Sequence, residues 1–227
     1  MSSDWDAFRE TSFWNAPRRA KVDVGSPQRA AALGDSVAGR FPSFAKLLAA
    51  ARVTPVSIDG NVNYLYGWTT PEDVSLGWLS PPPIDAMDAA AAPFCDDHRV
   101  LAASFGGIGE RWNEPETTWL LNLHGALTTG LAREPVDLSG YEWAFKTDDR
   151  MPINATDWYT IALEANGNLT ICHRYTGELL RCATDHSSNY LVPLEGCPDY
   201  TLYRIRGAPT FTTWVERVAM QWLASIR

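Results

Sequence analysis

The sequence predicts an α+β fold in which helices come first, an antiparallel sheet follows and a helix closes the chain. Two observations carry this prediction. Runs rich in β-branched and aromatic residues, separated by short turns that contain glycine, fill much of the second half. A stretch whose apolar residues recur with helical periodicity follows Pro209 and ends the chain.

A single domain is expected to span residues 1–227, because this length is long for a minimal domain and short for two full ones. Residues 1–60 are predicted to be mainly helical. Residues 61–227 are predicted to hold the sheet-containing core and the closing helix.

The first third carries most of the helical signals. Residues 1–25 indicate an irregular or partly helical arm that docks through its aromatic side chains. Ser26 suits a helix N-cap, and a helix is expected over the stretch SPQRAAALGDSVAGR. Ser43 opens an alanine-rich stretch that predicts a second helix. A further short helix is expected from about Asp85, closed by Pro93.

Strands are predicted over residues 98–105 and 117–123, on both sides of a glycine-rich loop, and residues 61–68 are expected to be extended. Asn166 and Gly167 separate two strand-like runs, and Asn-Gly is the strongest short signal of a β-hairpin. The strands predicted around and after this turn cover residues 157–165, 168–175, 178–184 and 200–205.

The last stretch places its apolar residues on one face of a helix. Thr210 is its predicted N-cap, and Thr213 with Glu216 offers a second, box-like option. We expect this helix to pack on the sheet, because its polar face has few of the basic residues that a membrane-surface helix carries. The apolar positions are Phe211, Trp214, Val215, Val218, Trp222, Leu223 and Ile226.

The net charge of −8 and the lack of a basic stripe argue against a nucleic-acid partner. No apolar run approaches the ~20 residues that a membrane span needs, so no membrane association is expected. The N-terminus is acidic and polar and does not resemble a secretory signal, so a cytoplasmic location is predicted.

The cysteines and histidines predict no metal and no cofactor. Cys95, Cys172, Cys182 and Cys197 lack Cys-x-x-Cys spacing, and the four histidines show no metal-ligand pattern. Free thiols are expected in a reducing compartment. Cys172 and Cys182 flank a predicted turn and could lie near each other, although proximity is not a bond.

The stretch SFGGIGERWNEPETTWLLN, residues 104–122, raises the question of a phosphate-binding loop. It lacks the third glycine of GxGxxG and the lysine of a P-loop, and its carboxylates would repel a phosphate. The sequence favours a structural turn. Gly106, Gly107 or Gly109 would supply a positive φ or a close backbone approach.

The tip of this loop holds the best candidates for a contact surface: Glu110, Arg111, Trp112, Asn113 and Glu114. Trp112 is the best placed, because tryptophan and arginine supply many interface anchors. Glu110 and Glu114 could instead act as a general acid and base. Arg111 between them favours an ordinary ion-pair network, so no catalytic residue is assigned.

A small hydrolase or ligand-binding domain remains an alternative, built on the 106–114 loop with His98 or His124. The spacing of Cys95 and His98 allows a thiol–imidazole pair, but such a cysteine is more often buried or unreactive. Cys172 and His173 are adjacent on a predicted strand and point to opposite faces, which does not suit a catalytic dyad.

Three stretches resemble the SUKH superfamily, which includes the yeast cell-wall-assembly regulator and many bacterial immunity proteins. RVLAASFGGIGERWNEPETTWLLN is similar to its strand–glycine–strand centre, DWYTIALEANGNLTICHRYTGELL to its later hairpin, and PTFTTWVERVAMQWL to its closing helix. The resemblance covers residues 98–226. The N-terminal third departs from the family pattern, with FPSFAKLL (41–48) the nearest match to its helical start.

The resemblance implies a curved antiparallel sheet flanked by helices, and protein binding in place of catalysis. Bacterial members neutralise toxin domains, often nucleases, so the expected partner is a protein, with a basic nuclease-type toxin domain as the candidate. The acidic chain suits such a partner, because nucleases present basic clefts. A regulatory scaffold module is a further alternative.

Overall fold

Two antiparallel sheets and seven α-helices form the part of the chain that this computed structural model describes. The described residues are 3–11, 19–116, 118–119, 123–133, 136–138, 153–183, 189–197 and 200–227.

The α-helices alternate irregularly with the strands along the chain. The helices are α1 (Asp4–Thr11), α2 (Asp35–Arg40), α3 (Pro42–Ala49), α4 (Ala86–Ala91), α5 (Asp96–Ala102), α6 (Thr129–Arg133) and α7 (Phe211–Leu223). The strands are β1 (Val22–Val24), β2 (Gln28–Arg29), β3 (Arg52–Ile58), β4 (Asn61–Thr69), β5 (Ser75–Ser80), β6 (Glu110–Trp112), β7 (Leu123–Ala126), β8 (Trp158–Glu164), β9 (Leu169–His173), β10 (Leu179–Cys182), β11 (Leu191–Pro193) and β12 (Leu202–Ile205).

The strands form an N-terminal sheet in the order β1-β3-β4-β5-β6, with β2 also paired to β3, and a C-terminal sheet in the order β11-β12-β10-β9-β8-β7. Every strand pair within the described residues is antiparallel. The α+β class and the closing C-terminal helix are therefore confirmed. The strands are divided between two sheets, where the sequence suggested one.

The first sixty residues are more mixed than predicted. Their helices α1, α2 and α3 are accompanied by β1, β2 and β3, so the prediction of a mainly helical segment missed three strands. The helix predicted from Ser26 begins only at Asp35. Gln28 and Arg29 pair instead with β3, because the edge of that strand offers backbone partners that outweigh a weak helix propensity. Residues 12–18 of the predicted aromatic arm lie outside the described residues.

The strand predicted over residues 98–105 is also wrong, since α5 occupies most of it. A short apolar run does not distinguish a buried helix from a strand by its periodicity. Asp96 and Asp97 lie in the first turn of α5, where negative charge favours a helix. In the partner strand predicted over 117–123, residues 117 and 120–122 lie outside the described residues, and β7 begins at Leu123.

The other elements follow the sequence closely. The Asn166-Gly167 turn joins β8 to β9, with Gly167 at φ +89°, and a second turn with Gly177 at φ +71° leads to β10. The carboxylate of Asp85 caps α4 by accepting a hydrogen bond from the backbone amide of Asp88. Thr210 caps α7 in a capping box whose second member is Thr213 itself, without Glu216.

The main core lies between the sheets and α3, α5 and α7. Trp68, Trp78 and Trp222 meet there, with ring centroids 4.8–5.5 Å apart. A second cluster lies on the other face of the N-terminal sheet, where α1 covers it with Phe8. A third covers the other face of the C-terminal sheet around Ile171. Each sheet is thus buried on both faces.

Candidate functional site

The glycine-rich loop joins the two sheets. Ile108 exchanges two backbone hydrogen bonds with Ala126 of β7, at 2.7 and 2.8 Å, and so lies against the C-terminal sheet. The next residue, Gly109, donates its amide to Leu79 O of the N-terminal sheet at 2.8 Å. Both amides are thereby used within the fold, so they are not available to cradle a phosphate.

Two glycines make this joint possible. A Cβ at Gly106 would lie 2.1 Å from the carbonyl oxygen of Pro81. At Gly107 the backbone has φ +97°, and a Cβ would lie 2.6 Å from the backbone of Leu127. Neither position has room for a side chain, and the second also needs a conformation that L-residues rarely adopt. The predicted structural turn is present, with close approach as its main cause.

The predicted contact residues divide between the interior and the surface. Trp112 is 1% exposed, packs edge-on against Phe8 of α1 at 5.8 Å, and donates its indole N–H to Ser75 Oγ. Glu110 is 7% exposed. The prediction that Trp112 is the best placed residue of a contact surface is therefore wrong, because its indole ring fills the space between α1 and the N-terminal sheet. A role in binding for the stretch as a whole stays a prediction.

Of the other three residues only Asn113 is exposed, since the side chains of Arg111 and Glu114 are 8% and 20% exposed. Arg111 Nε donates to Glu114 Oε2 at 2.6 Å, which is the ion pair that the sequence favoured. Asn113 is exposed at φ +46°, a conformation that asparagine tolerates well, and its side-chain amide donates to Ser75 O. The loop tip therefore presents Asn113 to solvent in a fixed position.

Asn113 lies on the rim of a groove of about 570 Å³ beside α1. The groove is lined by α1, by the strands β3 to β5 of the N-terminal sheet and by the last residue, Arg227. Trp5 and Glu10 line it from α1, and Asp73 lines it from the β4–β5 turn. We call it the α1 groove. It brings the loop tip together with residues that are distant in sequence.

A polar clamp forms the floor of the α1 groove. The carboxylate of Asp4 accepts hydrogen bonds from Arg52 Nε and Nη2, at 3.0 and 2.8 Å, and from Ser75 Oγ at 2.7 Å. It sits directly over Gly67, where a Cβ would lie 2.3 Å from Asp4 Oδ2. Gly67 thus makes room for the carboxylate that fixes α1 to the sheet.

The rim of the groove combines acidic and aromatic groups. Glu10 is exposed, and Asp73 pairs with Arg227 at 2.6 Å. The guanidinium of Arg9 lies over the ring of Trp5, 5.6 Å from its centroid. This cation–π contact within the chain places a guanidinium over one face of the Trp5 ring.

A second chemically notable cluster is buried in the main core. Cys95, His98 and Tyr159 are 3%, 0% and 1% exposed. Cys172 Sγ lies 3.8 Å from Cys95 Sγ, and the Tyr159 hydroxyl lies 3.4 Å from Cys95 Sγ and 3.2 Å from His98 Nδ1. The structure therefore places Cys95 and His98, which the sequence suggested as a pair, in one cluster. Tyr159 and Cys172 are its other two members.

The hydrogen bonds fix the protonation of His98. Its Nε2 faces the carbonyl oxygen of Leu127 at 3.3 Å, and a carbonyl only accepts, so Nε2 carries the proton of the neutral ring. Nδ1 is then an acceptor, and the single Tyr159 proton can go to Nδ1 or to Cys95 Sγ. Burial lowers the pKa of His98 to about 4, so the ring is neutral near pH 7.

The two thiols of this cluster differ in acidity. Hydrogen bonding from Cys172 lowers the pKa of Cys95 to about 7, against the opposing effect of burial. Burial raises the pKa of Cys172 well above its usual range, so Cys172 keeps its proton. Burial also raises the pKa of Tyr159.

The pairing considered between Cys172 and Cys182 is not formed. Cys172 faces the main core, whereas Cys182 faces the third cluster on the opposite side of the C-terminal sheet, together with Cys197. All four thiols are free. Since side chains alternate between the faces of a strand, their places on β9 and β10 decide which thiols can meet.

The remaining histidines have separate environments. His173 Nδ1 accepts hydrogen bonds from the amides of Tyr175 and Thr176 and so shapes the β9–β10 turn. His124 is exposed on β7. Among the residues that the structure describes, no group of three or more His, Cys, Asp or Glu side chains is placed to hold a metal ion. Within the same residues no helix combines the length and apolarity that a membrane span requires.

Sequence reasoning missed the α1 groove and the thiol pair for one reason. Asp4 meets Arg52 and Ser75 across 48 and 71 residues, and Cys95 meets Cys172 across 77. No local pattern links such residues. The only usable signals were the glycines, whose missing side chains mark close approach without naming the approaching group.

Comparisons with protein-family models, with curated proteins and with solved structures found no match.

Proposed function

We propose that this chain is a non-enzymatic protein-binding domain that uses the α1 groove and the adjoining loop tip as its contact surface. The partner we propose is a basic protein. The toxin domain of the SUKH resemblance is the leading candidate, which would make the chain a cytoplasmic immunity protein.

The observation that carries the proposal is the composition of the α1 groove. Trp5 contributes an aromatic ring that contacts the guanidinium of Arg9, Glu10 contributes an exposed carboxylate, and Asp73 contributes a carboxylate that pairs with Arg227. Aromatic rings with neighbouring carboxylates favour lysine and arginine side chains. The side-chain amide of Asn113 gives one N–H to Ser75 O, and its second N–H and its carbonyl oxygen are the groups we propose for a partner backbone.

The charge of the whole chain supports the same choice of partner. A net charge of −8 favours encounter with a basic surface and disfavours acidic partners. Attraction of this kind weakens as salt is raised, because exposed charges are screened over ~10 Å at 0.1 M ionic strength.

The experiment is affinity capture from an extract of the source organism with the tagged chain, at low and at high salt. We expect a basic protein to be captured at low salt and released at high salt. Co-expression then tests function: if the captured protein is toxic, the chain must restore growth.

Glu10→Lys is the matched test of the groove, since a cation in the last turn of α1 suits the helix dipole and keeps the helix intact. Glu195→Lys makes the same charge change at an exposed turn that does not line the groove. Loss of capture by the first variant alone supports the proposal. Equal capture by both variants, or no protection on co-expression, contradicts it.

A further inference from the structure

We propose that Cys95 and Cys172 form a reversible internal disulfide in the folded protein and that the chain thereby responds to hydroperoxides. This proposal rests on the buried cluster around Tyr159 and is independent of the proposed function.

The two sulfur atoms are already in contact. Cys95 Sγ and Cys172 Sγ are 3.8 Å apart, and a disulfide needs about 2.05 Å, so each sulfur has to move by roughly 1 Å. Cys95 directly precedes α5, and Cys172 lies in β9, so the bond would tie the start of a helix to the C-terminal sheet.

The cluster assigns different roles to the two thiols. The Cys172 thiol lies within donating distance of Cys95 Sγ and of His173 O, and the Tyr159 hydroxyl within donating distance of Cys95 Sγ and of His98 Nδ1. Each proton that is directed to Cys95 Sγ stabilises its thiolate. The pKa of about 7 that results leaves a substantial thiolate fraction at neutral pH. Cys95 is therefore the attacking group, and Cys172, which keeps its proton, is the resolving group.

A turn covers the sulfur of Cys95. Gly177, in the β9–β10 turn, lies over Cys95: a Cβ at Gly177 would be 3.7 Å from Cys95 Sγ. The neighbouring Tyr175 is 76% exposed. The turn is held by backbone hydrogen bonds from Gly177 N to His173 O and from Phe211 N to Gly177 O, at 2.9 and 2.8 Å. The proposal therefore requires these two bonds to open locally, which costs less than global unfolding, for a small oxidant to reach Cys95.

The reaction balances with a hydroperoxide as the oxidant. The Cys95 thiolate attacks one oxygen of hydrogen peroxide, an S–O bond forms as the O–O bond breaks, and the leaving hydroxide takes a proton from solvent to become water. Cys172 sulfur then attacks the sulfenic sulfur, the S–S bond forms, and the S–O bond breaks. The departing hydroxide leaves as water with the Cys172 proton. Two thiols lose two electrons, and hydrogen peroxide is reduced to two waters.

Cys182 and Cys197 provide an internal comparison. They share the third cluster, on the other side of the sheet. Burial raises the pKa of Cys182 to about 12, so this thiol is almost wholly protonated at neutral pH. Oxidation should therefore select Cys95 and Cys172 over this second pair.

The test treats the reduced full chain with hydrogen peroxide, blocks remaining thiols and maps the peptides by mass spectrometry. We expect a Cys95–Cys172 cross-link, reversed by dithiothreitol, while Cys182 and Cys197 are recovered blocked. The midpoint of thermal unfolding should rise on oxidation, because the bond closes a long loop of chain. The rise should be absent in Cys172→Ala and preserved in Cys182→Ala.

A comparison of two rates shows whether the cross-link forms in the folded or in the unfolded protein. The rate of cross-linking in the wild-type chain is compared with the rate of global unfolding, extrapolated to the same buffer. Cross-linking faster than unfolding supports a native-state response, and this readout needs no variant. Cross-linking only at the unfolding rate, prior oxidation of Cys182, or over-oxidation of Cys95 with Cys172 left free would each overturn the proposal.

Discussion

Glu216 of α7 accepts a hydrogen bond from the backbone amide of Phe44, 172 residues earlier in the chain, at 3.0 Å. The amide of Ser43 donates to the other oxygen of the same carboxylate, also at 3.0 Å. Phe41, the N-cap residue of α3, makes no side-chain cap. A residue of the closing helix therefore caps α3 and ties that helix to the C-terminal end of the chain.

Glu216→Ala should lower the free energy of unfolding by about 1–2 kcal/mol, the usual cost of losing an N-cap. Glu216→Gln should lose less, because one acceptor oxygen remains. Chemical denaturation measures both. Glu195→Ala, at an exposed turn, is the control and should change stability by less than about 0.5 kcal/mol. Equal effects of Glu216→Ala and this control would contradict the capping role.

The joint between the sheets makes a prediction about glycines. Gly106→Ala and Gly107→Ala should each destabilise the chain by about 2 kcal/mol or more, because the added methyl meets backbone that cannot move aside. Gly39→Ala, in α2 with open space around it, should be neutral or stabilising by up to about 1 kcal/mol. Thermal denaturation distinguishes these outcomes, and tolerance of alanine at Gly106 would contradict the close approach.

The docking of α1 predicts a local effect for Phe8→Ala. Phe8 is fully buried, and losing such a ring costs about 3 kcal/mol. Because α1 covers only the outer face of the N-terminal sheet, the main core should survive its release. Amide hydrogen exchange within Asp4–Thr11 should accelerate on the order of a hundredfold. Amides of α7 should be unaffected, and Met87→Ala, at an exposed residue, should change neither.

His98 predicts a pH dependence of stability. Its pKa is about 4 in the folded chain and 6.5 when unperturbed, so between these values the unfolded state binds the extra proton. Stability should therefore fall as the pH is lowered from 6.5 to 4, by about 3 kcal/mol from this group. In His98→Phe, whose ring suits the stack between Phe94 and Phe211, this part of the slope should vanish. If the free energy of unfolding depended on pH in the same way in both proteins, a buried neutral imidazole at His98 would be contradicted.

Local sequence signals predicted the elements that are locally determined. The Asn166-Gly167 hairpin, the cap at Thr210 and the helix after Asp85 depend on residues within a few positions of one another, and all three are present. The predictions for residues 98–105 and 28–29 failed because tertiary contacts outweighed local propensity. The first is a buried helix against the core, and the second completes an edge of β3.

The candidate site was predictable only in part. The glycine loop and the Arg111–Glu114 pair are local and followed from the residues. Trp112 was misplaced because a tryptophan anchor and a tryptophan core residue look alike in sequence. Trp112 is a core residue because α1 covers its indole ring with Phe8, about a hundred residues earlier in the chain.

The most direct test of the binding proposal is the affinity of the purified, captured partner for three proteins at two salt concentrations. These are the wild-type chain, Glu10→Lys and Glu195→Lys. We expect Glu10→Lys to weaken binding at least about tenfold, the loss expected for a close charge pair. Glu195→Lys should bind like wild type, and added salt should narrow the difference. Equal affinities for all three proteins at low salt would contradict a contact surface at the α1 groove.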